Sequence, residues 1–274
     1  MIRYKLLAVD VDGTLSVPGD DVPKPVIESL SACVHDGIRV VPATGKKFSS
    51  IQSLCNRIGI RGPAITCNGA IALDARTGAV LFSHFIPRES YQELIRTLAQ
   101  DTRLAMAVFT DKDIVCTDRN LASLSLAAIG EPTTRFVRSL YDLSAESVAK
   151  VLVAVGDVSV LRDVGRTYAQ RFAESLSVTI TSDKFVEFMC PGVSKGHALT
   201  RIAELAGIHR QAIACIGDSD NDLSMFAVAG LSIAVANATD SVLQAADVVA
   251  PSAAECGAAL AIAKLILERS GPSS

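Results

Sequence analysis

Short apolar runs alternate with segments of helical spacing over the first quarter of the chain. Leu6 to Val9, Ile38 to Val41 and Ala64 to Cys67 are apolar runs typical of buried strands. The segments between these runs predict one helix from Pro25 to His35 and a second that ends near Arg57. Strand, helix, strand, helix and strand joined by short connections predict a parallel sheet with helices on both faces.

The pattern changes in the middle third of the chain. Ile71 to Leu73 and Val80 to Phe85 flank a turn-rich link and predict a hairpin. A helix is expected over Pro87 to Gln100, and apolar residues at helical spacing predict another over Leu161 to Phe172, with antiparallel strands between and after them. Residues 85–186 are therefore predicted to form a mixed α/β domain inserted into the first.

The first pattern then resumes to the end of the chain. A helix is predicted from Ser194 to about Ala206, followed by a buried strand from Ala212 to Ile216 and another from Leu231 to Val235. The predicted fold class is α/β, with a Rossmann-like, doubly wound parallel sheet as the core. Residues 1–84 and 187–274 would build this core.

Composition excludes some classes of function. Of the 274 residues, 49% are apolar and 20% are charged, which is typical of a globular protein. The net charge is −3 and the basic residues are scattered, so no footprint for nucleic acid is visible. With four Tyr, nine Phe and no Trp, the chain also offers little aromatic surface for stacking bases.

The cysteines and the apolar segments bear on the compartment. The seven Cys are widely and irregularly spaced, and most lie in apolar segments where free thiols are ordinary. This usage favours a reducing environment, and we expect a cytoplasmic protein. The apolar run at the N-terminus ends at Asp10 and is too short for a secretory signal, and no later stretch predicts a membrane span.

Acidic residues follow two of the predicted strands. Asp10 and Asp12 come directly after the first, and on an extended backbone their side chains would share one face. Alone, the pair could be a turn signal, because Asp and Gly are common in turns. Asp218, Asp220 and Asp222 follow a later strand, however, and acidic clusters at two parallel strand ends would destabilise each other unless a hard cation such as Mg2+ bridged them.

Two further positions suggest an anion site. Thr44 and Gly45 follow a strand and are expected to open a helix, where backbone N–H groups can bind an anion. Lys195 is also predicted near a helix start, where a cation is unfavourable with the helix dipole, so we expect this lysine to be held there in order to bind an anion. An ordinary Thr N-cap and a solvated surface lysine remain the simpler interpretations.

Taken together, these motifs resemble those of the haloacid dehalogenase superfamily of phosphohydrolases, in its Cof-type (subfamily IIB), sugar-phosphatase-like branch. The resemblance covers essentially the whole chain, including Asn68-Gly69-Ala70 and an inserted α/β (C2-type) cap between the second and third motifs. The residues that carry it are Asp10, Asp12, Gly13, Thr14, Thr44, Gly45, Lys195, Gly217, Asp218, Asn221 and Asp222.

The resemblance implies a role for each matched residue. Asp10 would be the nucleophile that forms an aspartyl-phosphate, and Asp12 would be the general acid and base. Mg2+ would be bound by Asp10, the backbone carbonyl of Asp12 and Asp218, with Asp222 in support. The groups expected to bind the phosphoryl oxygens are those of Val11, Thr44, Gly45, Lys195 and Asn221.

The implied function is Mg2+-dependent hydrolysis of a small phosphorylated metabolite, with a sugar phosphate favoured. Neither nucleic acid nor membrane is an expected partner, and the protein would be a monomer or a homodimer. A phosphomutase of the same superfamily and a non-catalytic sensor of phosphorylated metabolites remain alternatives, although a sensor has no need of the acid Asp12. The chain departs from the branch at Lys46, where Arg often follows Thr-Gly, so that a bidentate group is replaced by a point charge.

Overall fold

A computed structural model describes residues 4–181 and 184–267 of the chain. The protein forms two compact units. The first combines the residues up to Phe82 with those from Ser194 onward, and the second runs from Ser83 to Val193. The second unit is therefore an insertion within the first.

The strands are numbered in chain order. They are β1 (Leu6–Val9), β2 (Arg39–Pro42), β3 (Pro63–Thr66), β4 (Ile71–Asp74), β5 (Val80–Ser83), β6 (Ala105–Thr110), β7 (Ile114–Cys116), β8 (Arg135–Phe136), β9 (Val148–Ala154), β10 (Ser177–Ile180), β11 (Phe185–Met189), β12 (Ile213–Gly217), β13 (Leu231–Val235) and β14 (Val248–Ala250).

The helices follow the same order. They are α1 (Lys24–His35), α2 (Phe48–Ile58), α3 (Arg88–Leu98), α4 (Leu121–Ala128), α5 (Val158–Arg171), α6 (Lys195–Leu205), α7 (Leu223–Phe226), α8 (Asp240–Ala245) and α9 (Gly257–Ala261), which continues as a π-helical segment over Ile262–Leu267.

The first unit is built on a five-stranded sheet in the order β14-β13-β12-β1-β2. Every neighbouring pair in it is parallel, as the alternation of strands and helices predicts. Its strands are almost wholly buried: Leu6, Ala8, Val41 and Cys215 have no exposed surface and belong to one hydrophobic core. Because the strands are parallel, their carboxyl ends lie at one edge of the sheet, and this edge carries the candidate site.

The third strand differs from the prediction. Instead of extending the parallel sheet, β3 pairs with β4 in a separate antiparallel sheet that also contains β5. An isolated parallel bridge between Ala43 and Ile65 connects it to the segment that follows β2 in the main sheet. The apolar run predicted the strand correctly. The next short strand follows after a turn of a few residues, however, and offers β3 a hairpin partner. The hydrophobic pattern does not show whether β3 pairs with this strand or with β2.

The second unit contains a six-stranded sheet in the order β10-β11-β9-β6-β7-β8. Residues of one face, such as Val151, Val153 and Phe188, pack against helices α3 and α5 through Leu94 and Leu161. Alternate residues on β9 and β11 point to the other face, and these include Lys150 and Glu187. The mixed α/β architecture predicted for this part of the chain is therefore present.

The predicted end of the insertion, residue 186, falls inside β11. This strand pairs with β9 along its whole length and with β10 on its other side. A strand that is hydrogen-bonded on both sides belongs to one sheet, and the second unit accordingly continues to Val193. The sequence shows where the hydrophobic run lies but does not show which sheet it joins.

Within residues 4–181 and 184–267, no helix is both long enough and apolar enough to cross a membrane.

Candidate active site

The site is built where β1 and β12 end side by side. Val9 is paired with Ile216, and the N–H of Asp10 donates to the carbonyl of Ile216 at 3.0 Å. The chain therefore delivers Asp10 from one strand and Asp218 from its neighbour to the same edge of the sheet. The proximity that the sequence predicts for the two acidic clusters is confirmed for these residues.

Lys195 joins the two clusters. Its Nζ lies 2.6 Å from Asp10 Oδ1 and 2.7 Å from Asp222 Oδ1, and all three side chains are almost completely buried. Lys195 is the first residue of α6, whose N-cap is Ser194. Lys195 is therefore a buried residue paired with carboxylates of the chain itself, and the solvated surface lysine is excluded. That it also binds an anion from outside the chain stays a prediction.

A third carboxylate completes the cluster. One oxygen each from Asp10, Asp218 and Asp222 lie within 4.8 Å of one another, and this is the only such group of His, Cys, Asp or Glu side chains among the described residues. Burial raises the pKa of Asp10 well above its usual value, and the charges of Asp222 and Asp218 add to the rise although Lys195 opposes it. Burial and Asp222 likewise raise the pKa of Asp218. One lysine is therefore not enough to compensate three carboxylates.

Contacts with nearby loop residues hold the carboxylates of Asp218 and Asp222 in place. The hydroxyl of Thr14 donates to Asp218 Oδ1 at 2.7 Å. Gly13, with φ +86°, lies so close that a Cβ at this position would clash with the Asp218 carboxylate, and glycine is required on both grounds. Asp222 Oδ2 accepts from the N–H groups of Asp218 and Ser219 at 3.0 and 3.1 Å.

The Asp12 carboxylate makes a contact of its own at the site. Asp12 Oδ1 lies 2.7 Å from Nζ of Lys46, and the carboxylate is not one of the three in the cluster. Strand β1 ends at Val9, and the N–H of Leu15 closes a turn onto the carbonyl of the buried Val11. That the side chains of Asp12 and Asp10 share one face stays a prediction.

The expectation that Thr44 and Gly45 open a helix is wrong. Helix α2 begins only at Phe48, and its N-cap is Lys47. The Thr44 hydroxyl accepts from the N–H of Lys46 at 3.1 Å, while the carbonyl of Thr44 accepts from the N–H of Asn68. This local bond stabilises a turn in place of the first helical turn, which is a common use of Thr side chains.

Asn68 brings the β3 end to the same place. It is buried, adopts a left-handed conformation (φ 55°, ψ 30°) and accepts at Oδ1 from Asn221 Nδ2 at 3.0 Å. The Asn68 carboxamide also lies against Gly45, and a Cβ at Gly69 would clash with the carbonyl of Ser194. Asn221 Oδ1 is buried and has no hydrogen-bond partner among the described residues.

Asp220, the remaining residue of the second acidic motif, has a different role. Asp220 is exposed, and its Oδ1 accepts from the hydroxyls of Thr239, at 2.9 Å, and Ser241. It therefore ties the acidic loop to α8 rather than entering the cluster.

Three contacts at the site were not found by sequence reasoning. They are the pairing of Lys46 with Asp12, the hydrogen bond from Asn221 to Asn68, and the hydrogen bond from Asn237 Nδ2 to the carbonyl of Gly13 at 2.8 Å. Each joins residues far apart in the chain. An Asn at a strand end followed by Gly is a usable signal for the left-handed turn at Asn68, but it does not name the partner.

Comparison with known proteins places the chain in a family. The family model described as haloacid dehalogenase-like hydrolase matches residues 7–262. A 5-amino-6-(5-phospho-D-ribitylamino)uracil phosphatase of Bacillus subtilis is 28% identical over 96% of this chain and 98% of its own length. A pyridoxal phosphate phosphatase of Escherichia coli is 26% identical over 89% of this chain and 92% of its own length.

A solved structure agrees. The crystal structure of a haloacid dehalogenase-like hydrolase from Bacteroides thetaiotaomicron is 26% identical and has a TM-score of 0.84 over 96% of this chain and 100% of that one. The match of the family model to most of the chain and the shared architecture agree with the motifs at the sheet edge. The chain belongs to the haloacid dehalogenase-like hydrolases, in their Cof-type branch.

Proposed function

We propose that the protein is a Mg2+-dependent phosphomonoester hydrolase that acts on a small phosphorylated metabolite through a phosphoryl group carried on Asp10. The observation that supports this most directly is the buried cluster in which Lys195 contacts Asp10 and Asp222 while Asp218 lies alongside. This cluster would supply a nucleophile, a cation to bind phosphate and oxygen ligands for a metal at one edge of the sheet.

The donor set fits a hard divalent cation. If all groups are ionised, the carboxylates of Asp10, Asp218 and Asp222 exceed the one ammonium by two negative charges. Carboxylate and carbonyl oxygens are the ligands that Mg2+ accepts in proteins. Asp10, Asp218 and the backbone carbonyl of Asp12 would bind the ion, and Asp222 would support it. When bound, the ion supplies positive charge that neutralises the oxygens of the transferring phosphoryl group.

The chain's own residues carry out the transfer. A carboxylate oxygen of Asp10 forms a bond to phosphorus while the bond from phosphorus to the alcohol oxygen breaks, and Asp12 gives its proton to that oxygen. Water then forms a new bond to phosphorus and passes a proton to Asp12. The bond between Asp10 and phosphorus breaks, which releases inorganic phosphate and returns both aspartates to their starting forms.

The phosphoryl oxygens would be bound by a lysine ammonium, a hydroxyl and backbone N–H groups. Lys195 provides a buried ammonium, and the turn at Thr44 and Gly45 provides a hydroxyl and a backbone N–H next to Asn68. The N–H of Val11 is the further donor expected from the loop after β1. Preorganised donors of this kind stabilise the charge of a transition state because they need not reorient during the reaction.

Asn221 would complete this set. Its Oδ1 is buried without a partner among the described residues, and a buried polar atom of this kind is costly until it is hydrogen-bonded. Turning both carboxamides of the Asn68–Asn221 pair by half a rotation keeps their mutual hydrogen bond and points an N–H donor to this position. A phosphate oxygen would be a suitable acceptor for it.

The substrate class rests on chemistry common to the relatives. Their names describe removal of phosphate from a ribityl compound in one case and from pyridoxal phosphate in the other. Both are small phosphorylated metabolites, and we propose the same class here, with a sugar phosphate as the first candidate within it.

Hydrolysis of para-nitrophenyl phosphate with and without Mg2+ tests the proposal. We expect phosphate release that requires Mg2+ and that Asp10→Asn abolishes, whereas Asp20→Asn, which makes the same change at an exposed aspartate, has no effect. Activity that survives Asp10→Asn would refute the mechanism. Binding of inorganic phosphate without any turnover, by contrast, would indicate a sensor.

A further inference from the structure

Lys46 and Asp12 form an ion pair at the site that the mechanism above leaves unused. Lys46 Nζ lies 2.7 Å from Asp12 Oδ1, and the side chains are 16% and 32% exposed. The pair is thus more open to solvent than the Lys195 cluster. Its position matters because Asp12 is the residue to which the mechanism assigns the proton transfers.

The backbone on the lysine side is held firmly. The N–H of Lys46 donates to the hydroxyl of Thr44, and the carbonyl of Lys46 accepts from the N–H of Cys67 at 3.0 Å. Cys67 itself has φ 49°, an unusual value for a residue with a Cβ, and it is followed by the left-handed Asn68. Backbone strain of this kind is retained only where the surrounding structure enforces it. The hydrogen bonds at the N–H and the carbonyl of Lys46 hold the base of its side chain.

The backbone on the aspartate side is held as well. Gly13 donates its N–H to the carbonyl of Ser16 at 2.8 Å and accepts at its own carbonyl from Asn237. With both backbones fixed, the contact between Nζ and Oδ1 restrains the two side-chain torsions of Asp12. The contact involves one oxygen, and Asp12 Oδ2 is not part of it.

Lys46 and the proposed phosphate-binding lysine, Lys195, contact different aspartates. Lys195 already contacts the nucleophile Asp10, and it does so from full burial. A side chain that serves the phosphoryl group would be expected to face Asp10, but Lys46 faces Asp12. An ammonium is a single point of charge and binds one oxygen, unlike the fork of an arginine.

We propose that Lys46 is a positioning residue that orients the Asp12 carboxyl group toward the leaving-group oxygen. Asp12 Oδ1 is held by the ammonium, and the proton that goes to the alcohol oxygen as its bond to phosphorus breaks comes from Oδ2. Lys46 keeps its own protons throughout and also stabilises the carboxylate that Asp12 becomes. This inference rests on the proposed function, in which Asp12 is the proton donor.

The dependence of the rate on the leaving group tests this role. An alkyl phosphate such as glycerol phosphate needs its leaving oxygen protonated, whereas the phenolate of para-nitrophenyl phosphate departs without a proton. For Lys46→Met we expect kcat/KM to fall by about tenfold or more with glycerol phosphate, within the range typical of general acid catalysis, and to stay within about twofold with the aryl ester.

Three comparisons make the result specific. Lys46→Arg should recover most of the activity on glycerol phosphate, because it restores a cation next to Asp12. In an Asp12→Asn background, Lys46→Met should cause no further loss. Lys24→Met, which removes a lysine from an exposed pair on α1, should leave both substrates unaffected.

The opposite outcomes are equally clear. An equal loss with both esters, expressed mainly in KM, would show that Lys46 binds the phosphoryl group and would overturn the proposal. So would an unchanged rate with glycerol phosphate. If Lys46→Met does not fold, Lys46→Gln is assayed in its place with the same criteria. A wild-type protein inactive on both esters would instead refute the proposed function.

Discussion

Two lysines of the described chain are almost completely buried, one in each unit of the molecule. Lys195, in the first unit, contacts the carboxylates of Asp10 and Asp222. Lys150, in the second unit, lies 2.6 Å from Glu187, and its Nζ stands 4.3 Å from the centre of the Phe109 ring. The chemistry of the two pairs is alike, but their surroundings differ.

The difference lies in what each lysine joins. Lys150 and Glu187 are on the adjacent strands β9 and β11, and their contact is within one sheet. Lys195 joins loops that follow β1 and β12, and a third carboxylate, that of Asp218, lies beside its two partners. A buried lysine alone is therefore weak evidence for an active site. An excess of carboxylates at the carboxyl edge of a parallel sheet is much stronger evidence.

The largest expected effect is on kcat, which should respond differently to replacement of Lys195 and of Lys150. Lys195→Met should lower kcat by about a hundredfold to a thousandfold, because in the proposed function it removes a preorganised charge that would face the phosphoryl group. Lys150→Met makes the same change at a buried position of the second unit and should leave kcat per folded molecule within a few-fold. Steady-state assays on para-nitrophenyl phosphate, corrected for folded fraction, check both values. Equal losses would mean that the comparison is mistaken.

The next effect concerns the stability of the Lys150 pair. Lys150→Met leaves the Glu187 carboxylate, which is 4% exposed, without this lysine, and removing one partner of a buried pair costs about 3–5 kcal/mol. Replacing both residues, as Lys150→Met with Glu187→Met, should recover a large part of this loss because the two charges disappear together. Urea unfolding measures the free energies. A double variant less stable than the single one would contradict the structural role.

A smaller effect on stability and on phosphate binding is expected at Asn68, whose contact with Asn221 is a hydrogen bond between two uncharged side chains. Asn68→Ala removes the carboxamide next to Asn221 and places alanine in a left-handed conformation, which costs about 1–2 kcal/mol of stability. Asn68→Gly removes the same carboxamide without that backbone cost. Both should weaken binding of inorganic phosphate to a similar degree, while thermal unfolding should show the larger loss for alanine. Unchanged phosphate binding in both would exclude a role for the pair.

The smallest effect concerns buried thiols of the first unit. Burial raises the pKa of Cys33 from 9.0 to about 12 and that of Cys55 to about 11. Above pH 9 the unfolded chain loses these protons while the folded chain keeps them, so the free energy of unfolding should fall as the pH rises. The slope due to Cys33 is at most about 1.4 kcal/mol per pH unit. Urea unfolding between pH 8 and pH 10.5, about the range in which the shift acts, should show a shallower slope for Cys33→Ala. An identical slope would mean that Cys33 ionises equally in both states.

Much of the fold and part of the site can be predicted from short stretches of the sequence. Apolar runs located the strands, and acidic residues after Val9 and Gly217 indicated where Asp10 and Asp218 would meet. Parallel topology turns such positions in the chain into positions in space, which explains why those predictions are confirmed. The dipole argument indicated that Lys195 is not an ordinary surface lysine, but it did not identify Asp10 and Asp222 as its partners.

What was missed depends on contacts between distant loops. The sequence does not predict that Lys46 pairs with Asp12, because the two residues are far apart in the chain. It also does not predict that α2 begins only at Phe48, because the hydrogen bond from the N–H of Lys46 to the Thr44 hydroxyl competes with regular helical structure and hydrophobic spacing does not report it. The same holds for β3, whose partner strand was decided by the hairpin that follows it.

The central claim is that Asp10 carries the phosphoryl group and Asp12 moves the protons. An Asp12→Asn variant should still accept phosphate from para-nitrophenyl phosphate, whose phenolate needs no proton, but should transfer it only slowly to water. Rapid acid quench followed by peptide mass analysis should then find one phosphoryl group on the peptide that contains Asp10. A fully unmodified Asp10 peptide during turnover, or the phosphoryl group on a different residue, would contradict the account.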